Sequence, residues 1–181
     1  GSGREISSSM CIGIRYNMKV TYCITFRNLL YFLSILVVFT SVAAQAETVW
    51  LDELDLSEFT VEQVQRRGPF RGPTSPQTRT SFMGNPLQIN GQEFERGVGT
   101  CATSIFLLHL HGDAGRFTAQ TGVDDEVEGS RASVEFFVYA DNEIVWQSGT
   151  MKPCEDAKEV EVGLSGVEEL ALVVTDRKSV V

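Results

Sequence analysis

The chain has 181 residues, of which 43% are hydrophobic and 22% charged, with a formal net charge of −9. That length suits one domain with a real core and is too short for several large ones. The acidic balance repels nucleic-acid phosphates and anionic lipid headgroups, so neither is an expected partner.

Residues 1–17, "GSGREISSSMCIGIRYN", precede Met18 and read as upstream translation or a cloning remnant. Residues 18–46 follow a secretory pattern: basic Lys19 and Arg27, the apolar run "NLLYFLSILVVFTSVAAQA", and a final Ala44-Gln45-Ala46. Its apolar core, Leu29 to Val42, falls short of the about 20 residues a spanning helix needs. Cleavage after Ala46, and hence an extracellular protein with no membrane contact after cleavage, is the expectation. The first 46 residues carry four basic and one acidic residue, so 47–181 alone carries −12.

After the leader, "LSEFTVEQVQRRG" predicts a short helix capped by Ser57 and stopped by Gly68, and "GPFRGPTSPQTRT" a surface loop. Strand patterns dominate from there on. "PLQINGQEF" predicts a hairpin turning at Asn90-Gly91. "SIFLLHLHG", "RFTAQTGV", "KEVEVGL" and "ELALVVTD" are short apolar or alternating runs, and "SVEFFVYADNEIVWQSG" is a second hairpin turning at Asp141-Asn142. Turn residues at short, fairly regular spacing predict an all-β sandwich or barrel. Phe59, Phe82, Phe94, Phe106, Phe117 and Phe136 are expected in the core.

Several stretches invite a chemical reading. "FERGVGTCATS" holds Gly97 and Gly99, but Ala102 stands where a dinucleotide fingerprint needs its third glycine and the following sequence is β-type. The glycines read as a bulge or a close backbone approach. Cys101 as a nucleophile needs a histidine beside it, yet His109 and His111 lie further along the same strand region. Those two histidines, two apart on one strand face, can share a metal, although spacing shows no third ligand; strand histidines facing solvent are the simpler reading. "GVDDEVEG" clusters Asp124, Asp125, Glu126 and Glu128. A structural role in a turn is the first reading, a weak calcium site the second, and a glycosidase carboxyl pair the third, because neighbours in one loop rarely oppose each other. Cys101 and Cys154 remain after the leader and can form one bridge or stay separate thiols.

The order of motifs resembles the NPCBM family of carbohydrate-binding modules, often appended to secreted glycoside hydrolases. The likeness rests on "VWLDELDL", "GNPLQINGQEFERGVGTCATSIFLLHLHG", "RFTAQTGVDDEV", "SVEFFVYADNEIVWQSGTM" and "GVEELALVVTD". It runs from about Val49 to Asp176. The resemblance implies a jelly-roll β-sandwich of the galactose-binding-like kind, a secreted non-catalytic module for galactose-type or related glycans, and structural calcium. It makes "FERGVGTCATS" the family's glycine bend into a core strand, with Cys101 where the family has histidine, and draws attention to a Cys101–Cys154 bridge. After "LVVTD" the family runs into an Asp-His-Ala-Asp-Trp-like last strand near the first one, "VWLDEL"; this sequence reads "RKSVV" instead. A C-terminally truncated module over 47–181 is therefore expected, with a piece of a larger glycosidase, covalently linked to its catalytic domain, as the alternative. A sandwich that has lost sugar binding is the third reading. The binding residues expected on this basis are Trp50 and Tyr139 for stacking and Arg96 and His111 for hydroxyls, with Asp124 and Asp125 for calcium.

Overall fold

The computed structural model describes residues 11–17, 48–56, 60–63, 77–81, 83–127 and 132–176. The expected leader over 18–46, the expected helix cap Ser57 and stop Gly68, residues 68–76 of the expected loop, Phe59 and Phe82 lie outside them; at the end of that loop Gln77–Thr78 is a short strand. Alternating apolar residues form the strands because period-two patterning puts one face toward a core. Strand β9 (Val134–Ala140) buries Val134, Phe136 and Val138, and β12 (Glu169–Asp176) buries Leu170, Leu172 and Val174.

Two five-stranded sheets result. The first has the order β11 (Lys158–Gly163), β8 (Arg116–Thr121), β1 (Cys11–Asn17), β6 (Val98–Cys101) and β3 (Gln77–Thr78). The second has the order β10 (Glu143–Met151), β9, β12, β7 (Ser104–His109) and β2 (Thr60–Gln63). Adjacent strands in both sheets pair antiparallel. Phe106, Phe117 and Phe136, each at most 1% exposed, fill the space between them with Leu51, Val98, Met151 and Leu164. A smaller hairpin, β4 (Leu87–Ile89) with β5 (Gln92–Phe94), buries Leu87, Ile89 and Phe94 in a second core beside Ala157.

This is the expected all-β sandwich. Both predicted hairpins form. Asn90 and Gly91 turn at φ 46° and 79°, and Asp141 and Asn142 at 47° and 69°, the left-handed pair a tight two-residue turn requires.

Four expectations change. Within the predicted helix, Thr60–Gln63 is a strand, because its backbone groups pair with β7 and that edge outweighs local helical propensity. "VWLDEL" is not a first strand: Leu51–Glu53 is a single 3-10 turn that drops Leu51 into the core. Gly97 bends the chain at φ 143° into β6, whose pairing then runs without a register shift, so the glycines make no bulge. Residues 11–17, set apart from the domain on sequence grounds, stand as the middle strand of the first sheet.

Candidate functional site

Trp50 and Arg96, 46 positions apart in sequence, come together. The Arg96 guanidinium carbon lies 4.3 Å from the centroid of the Trp50 ring, a cation–π contact. The 3-10 turn that buries Leu51 also carries the neighbours that hold this arginine. Asp52, whose side chain is fully buried, accepts Arg79 Nε at 2.7 Å and Arg96 Nε at 3.3 Å. Arg96 Nη2 donates to Glu53 Oε1 as well, and Arg79 lies 4.0 Å from the same carboxylate. The hydrogen bond to Glu53 raises the Arg96 pKa above its ordinary value; loss of solvent around the group opposes the rise, and Asp52 adds to it. A buried carboxylate needs charged partners, and two guanidiniums supply them. The result is a guanidinium fixed against an aromatic ring, with Glu53 and Arg79 about half exposed beside it.

A second feature is an acidic cleft of about 540 Å³, lined by Asn85, Gln88, Glu93, Asp124, Asp125 and Glu126 among others. Its acids brace backbone from distant parts of the chain. Asp124 accepts the Gln88 N–H at 3.1 Å and the Glu126 N–H at 3.0 Å. Asp125 accepts the N–H groups of Asn90 and Gly91 at 2.7 and 2.8 Å, clamping the β4–β5 turn. Glu126 accepts the Ser81 hydroxyl at 2.6 Å and Asn85 Nδ2 at 3.3 Å. Burial pushes the Asp124 carboxyl up to about 6, against the lowering effect of its two backbone donors. Each carboxylate oxygen of Asp124 and Asp125, the residues expected to hold calcium, accepts one backbone N–H, while Glu126 Oε1 in the same cleft is buried with no hydrogen-bond partner. Among the described residues, no group of three or more His, Cys, Asp or Glu is placed to hold a metal ion.

The other expected residues lie elsewhere. His109 ends β7, while His111 stands in the turn beyond it at φ 53°, so the two do not share a strand face. Their rings stack at 6.4 Å, and His109 Nδ1 is 3.2 Å from Glu169. Tyr139 sits in the body of β9, tilted against Phe137 at 6.2 Å. Cys101 is half-buried and Cys154 exposed; both are thiols, and no bridge joins them. Cys154 lines the acidic cleft instead. Sequence reading missed Asp52, Glu53 and Arg79. The one available signal was the acidic pair Asp52-Glu53, one residue beyond Trp50.

The NPCBM/NEW2 domain pattern matches residues 47–180. The chain belongs to that family. Its sandwich is the fold of CBM51 modules. The structure of CBM51 from Clostridium perfringens GH95 in complex with methyl-galactose is 32% identical and superimposes with a TM-score of 0.58, covering 71% of this chain and 86% of that one. CBM51-2 in complex with GlcNAc and INT domains from Clostridium perfringens ZmpB is 25% identical, with a TM-score of 0.54 over 58% of this chain and 24% of that one. Alpha-1,3-galactosidase B of Akkermansia muciniphila is 34% identical over 97 residues, 51% of this chain. The chain aligns with only 12% of that enzyme's length.

Proposed function

We propose that this NPCBM/NEW2 chain is a secreted, non-catalytic module that recognises galactose-type glycans, with Trp50, Arg96, Glu53 and Arg79 as its contact surface. The observation that carries the reading is the likeness to a CBM51 module in complex with methyl-galactose, together with the family match over most of the chain.

The chemistry of the Trp50 cluster suits a sugar. Sugar hydroxyls accept from guanidinium N–H groups and donate to carboxylates, and an apolar sugar face stacks on an indole. Arg96 is already held by Asp52, Glu53 and the Trp50 ring, so little side-chain entropy is lost on binding. The acidic cleft supports the reading less well: among the described residues no aromatic ring lines it, and the carboxylate oxygens of Asp124 and Asp125 already hold backbone N–H groups.

A second reading, compatible with the first, is favoured by the galactosidase relative, of which this chain covers 12%. The module would then be one accessory part of a longer glycosidase and bring that enzyme to its glycan.

Calorimetric titration with methyl galactoside tests the proposal. Binding that weakens at least tenfold in Trp50→Ala and in Arg96→Ala, with His111→Ala and Tyr139→Ala close to the parent, supports it. Full affinity in both Trp50 and Arg96 variants moves the site elsewhere. No heat with galactosides or GlcNAc in a folded sample removes the function.

A further inference from the structure

Sheet register brings the two arginines of the Trp50 cluster side by side. Thr78, the last residue of β3, stands opposite Val98, the first residue of β6. Arg79 therefore leaves one strand where Arg96 leads into the other. The Arg79 N–H donates to the Gly97 carbonyl at 2.8 Å, and Arg79 is held at φ 61°, a left-handed conformation uncommon outside glycine. Backbone held in such a region gathers at ligand sites.

The charges of the cluster are unevenly shared. Asp52, with its side chain 0% exposed, accepts only the Nε group of each arginine. Glu53 Oε1 accepts Arg96 Nη2 and lies 4.0 Å from Arg79 Nη2, outside hydrogen-bond reach. Among the described residues, the two terminal nitrogens of Arg79 thus make no hydrogen bond, on a side chain that is 56% exposed. Solvent meets two guanidiniums and one carboxylate, because the second carboxylate is inside. On a chain of net charge −9 this makes a locally positive spot. Acids elsewhere on the surface count for less, since salt at physiological strength screens charges beyond about 8 Å.

We propose that Arg79 reads an anionic substituent, so that the Trp50–Arg96 cluster prefers galactosides carrying a sulfate ester or a carboxylate to the neutral sugar. The inference rests on the reading of this cluster as a galactose site and names the ligand class within it. The outer nitrogens of a guanidinium form a planar fork that matches two oxygens of a sulfate or carboxylate, and the opposite charges attract as a neutral hydroxyl does not. Arg79 Nε stays on Asp52, so the fork is aimed before a ligand arrives. Arg96 keeps Glu53 engaged, which leaves Arg79 as the unshared cation.

Calorimetry of the full chain in about 0.05 M salt with methyl galactoside, its 3-sulfate, its 6-sulfate and methyl galacturonide tests this. At least one anionic sugar should bind at least fivefold tighter than the neutral one; sulfates against uronide tells the two anion classes apart. The gain should shrink at least threefold in about 0.5 M salt. Arg79→Gln should bring anionic and neutral sugars within twofold of each other, while Arg79→Lys, which keeps the charge and loses the fork, should retain a smaller gain. No gain for any of the three anionic sugars, or a gain that survives in Arg79→Gln, overturns the proposal and leaves galactose binding in place. A gain in the parent that high salt does not reduce overturns it too, however the variants fold. No heat with any of the four sugars in a folded sample removes the galactose reading along with it.

Discussion

Asp124 should make the protein less stable as pH rises from about 4 to 6. The carboxyl is 1% exposed, and burial lifts it from 3.8 to about 6 in the folded state. Between those two values the folded chain holds a proton that the unfolded chain has released, so unfolding gains free energy with each step up in pH. The group therefore favours the folded state most below 3.8, and that contribution is lost as pH passes about 6. A gap of roughly 2 pH units, at about 1.4 kcal/mol per unit, is worth about 3 kcal/mol. Asp124→Asn keeps the shape and removes the titration, at a pH-independent loss from the backbone donor that meets the new amide. Urea unfolding of both proteins at intervals from pH 3 to 8 isolates the effect, because the other acids cancel in the difference. The stability of the parent minus that of Asp124→Asn should fall by about 3 kcal/mol between pH 3.8 and 6 and stay flat on either side. A difference that is constant throughout, or that rises with pH, would refute the reasoning.

Other substitutions test the two cores and the turn that Asp125 clamps. Gly122→Ala places a Cβ 2.6 Å from Ile89 Cγ2 and 2.8 Å from its Cδ1, in the buried core of the small hairpin; overpacking of this kind costs about 1–3 kcal/mol, read as a lowered midpoint in urea. Asp125→Ala removes the acceptor from two turn N–H groups and should lower stability by about 1–2 kcal/mol, with faster amide exchange at Asn90 and Gly91. Phe106→Ala empties a fully buried site between the sheets and should cost about 3–5 kcal/mol in thermal or denaturant unfolding.

The sandwich was legible in the sequence because its strands and turns are local signals. Asn90-Gly91 and Asp141-Asn142 announce tight hairpins, and "SVEFFVYA" alternates cleanly. The second strand was not legible: Thr60–Gln63 sits in a stretch with helical spacing and becomes extended only because β7 offers an edge. The middle position of β1 was hidden for a related reason, since a strand's place in a sheet is decided by partners 84 and more positions away. Among site residues, Trp50 and Arg96 were named singly from their chemistry, but their contact was not foreseeable, nor was the hold of Asp52 on both Arg79 and Arg96. Asp124 and Asp125 were visible as an acidic loop, whereas their distant partners, the N–H groups of Gln88, Asn90 and Gly91, lie 34 to 36 positions upstream.

The central claim is that a galactose-type sugar meets the Trp50–Arg96 cluster, and the chain's two tryptophans make it directly testable. In a nitrogen-15 NMR titration with methyl galactoside, the Trp50 indole and Arg96 Nε signals should shift together along one saturable curve. The signal of Trp146, which packs against the main core, should stay in place. A folded sample in which Trp50 and Arg96 remain unmoved at saturating sugar would contradict the account.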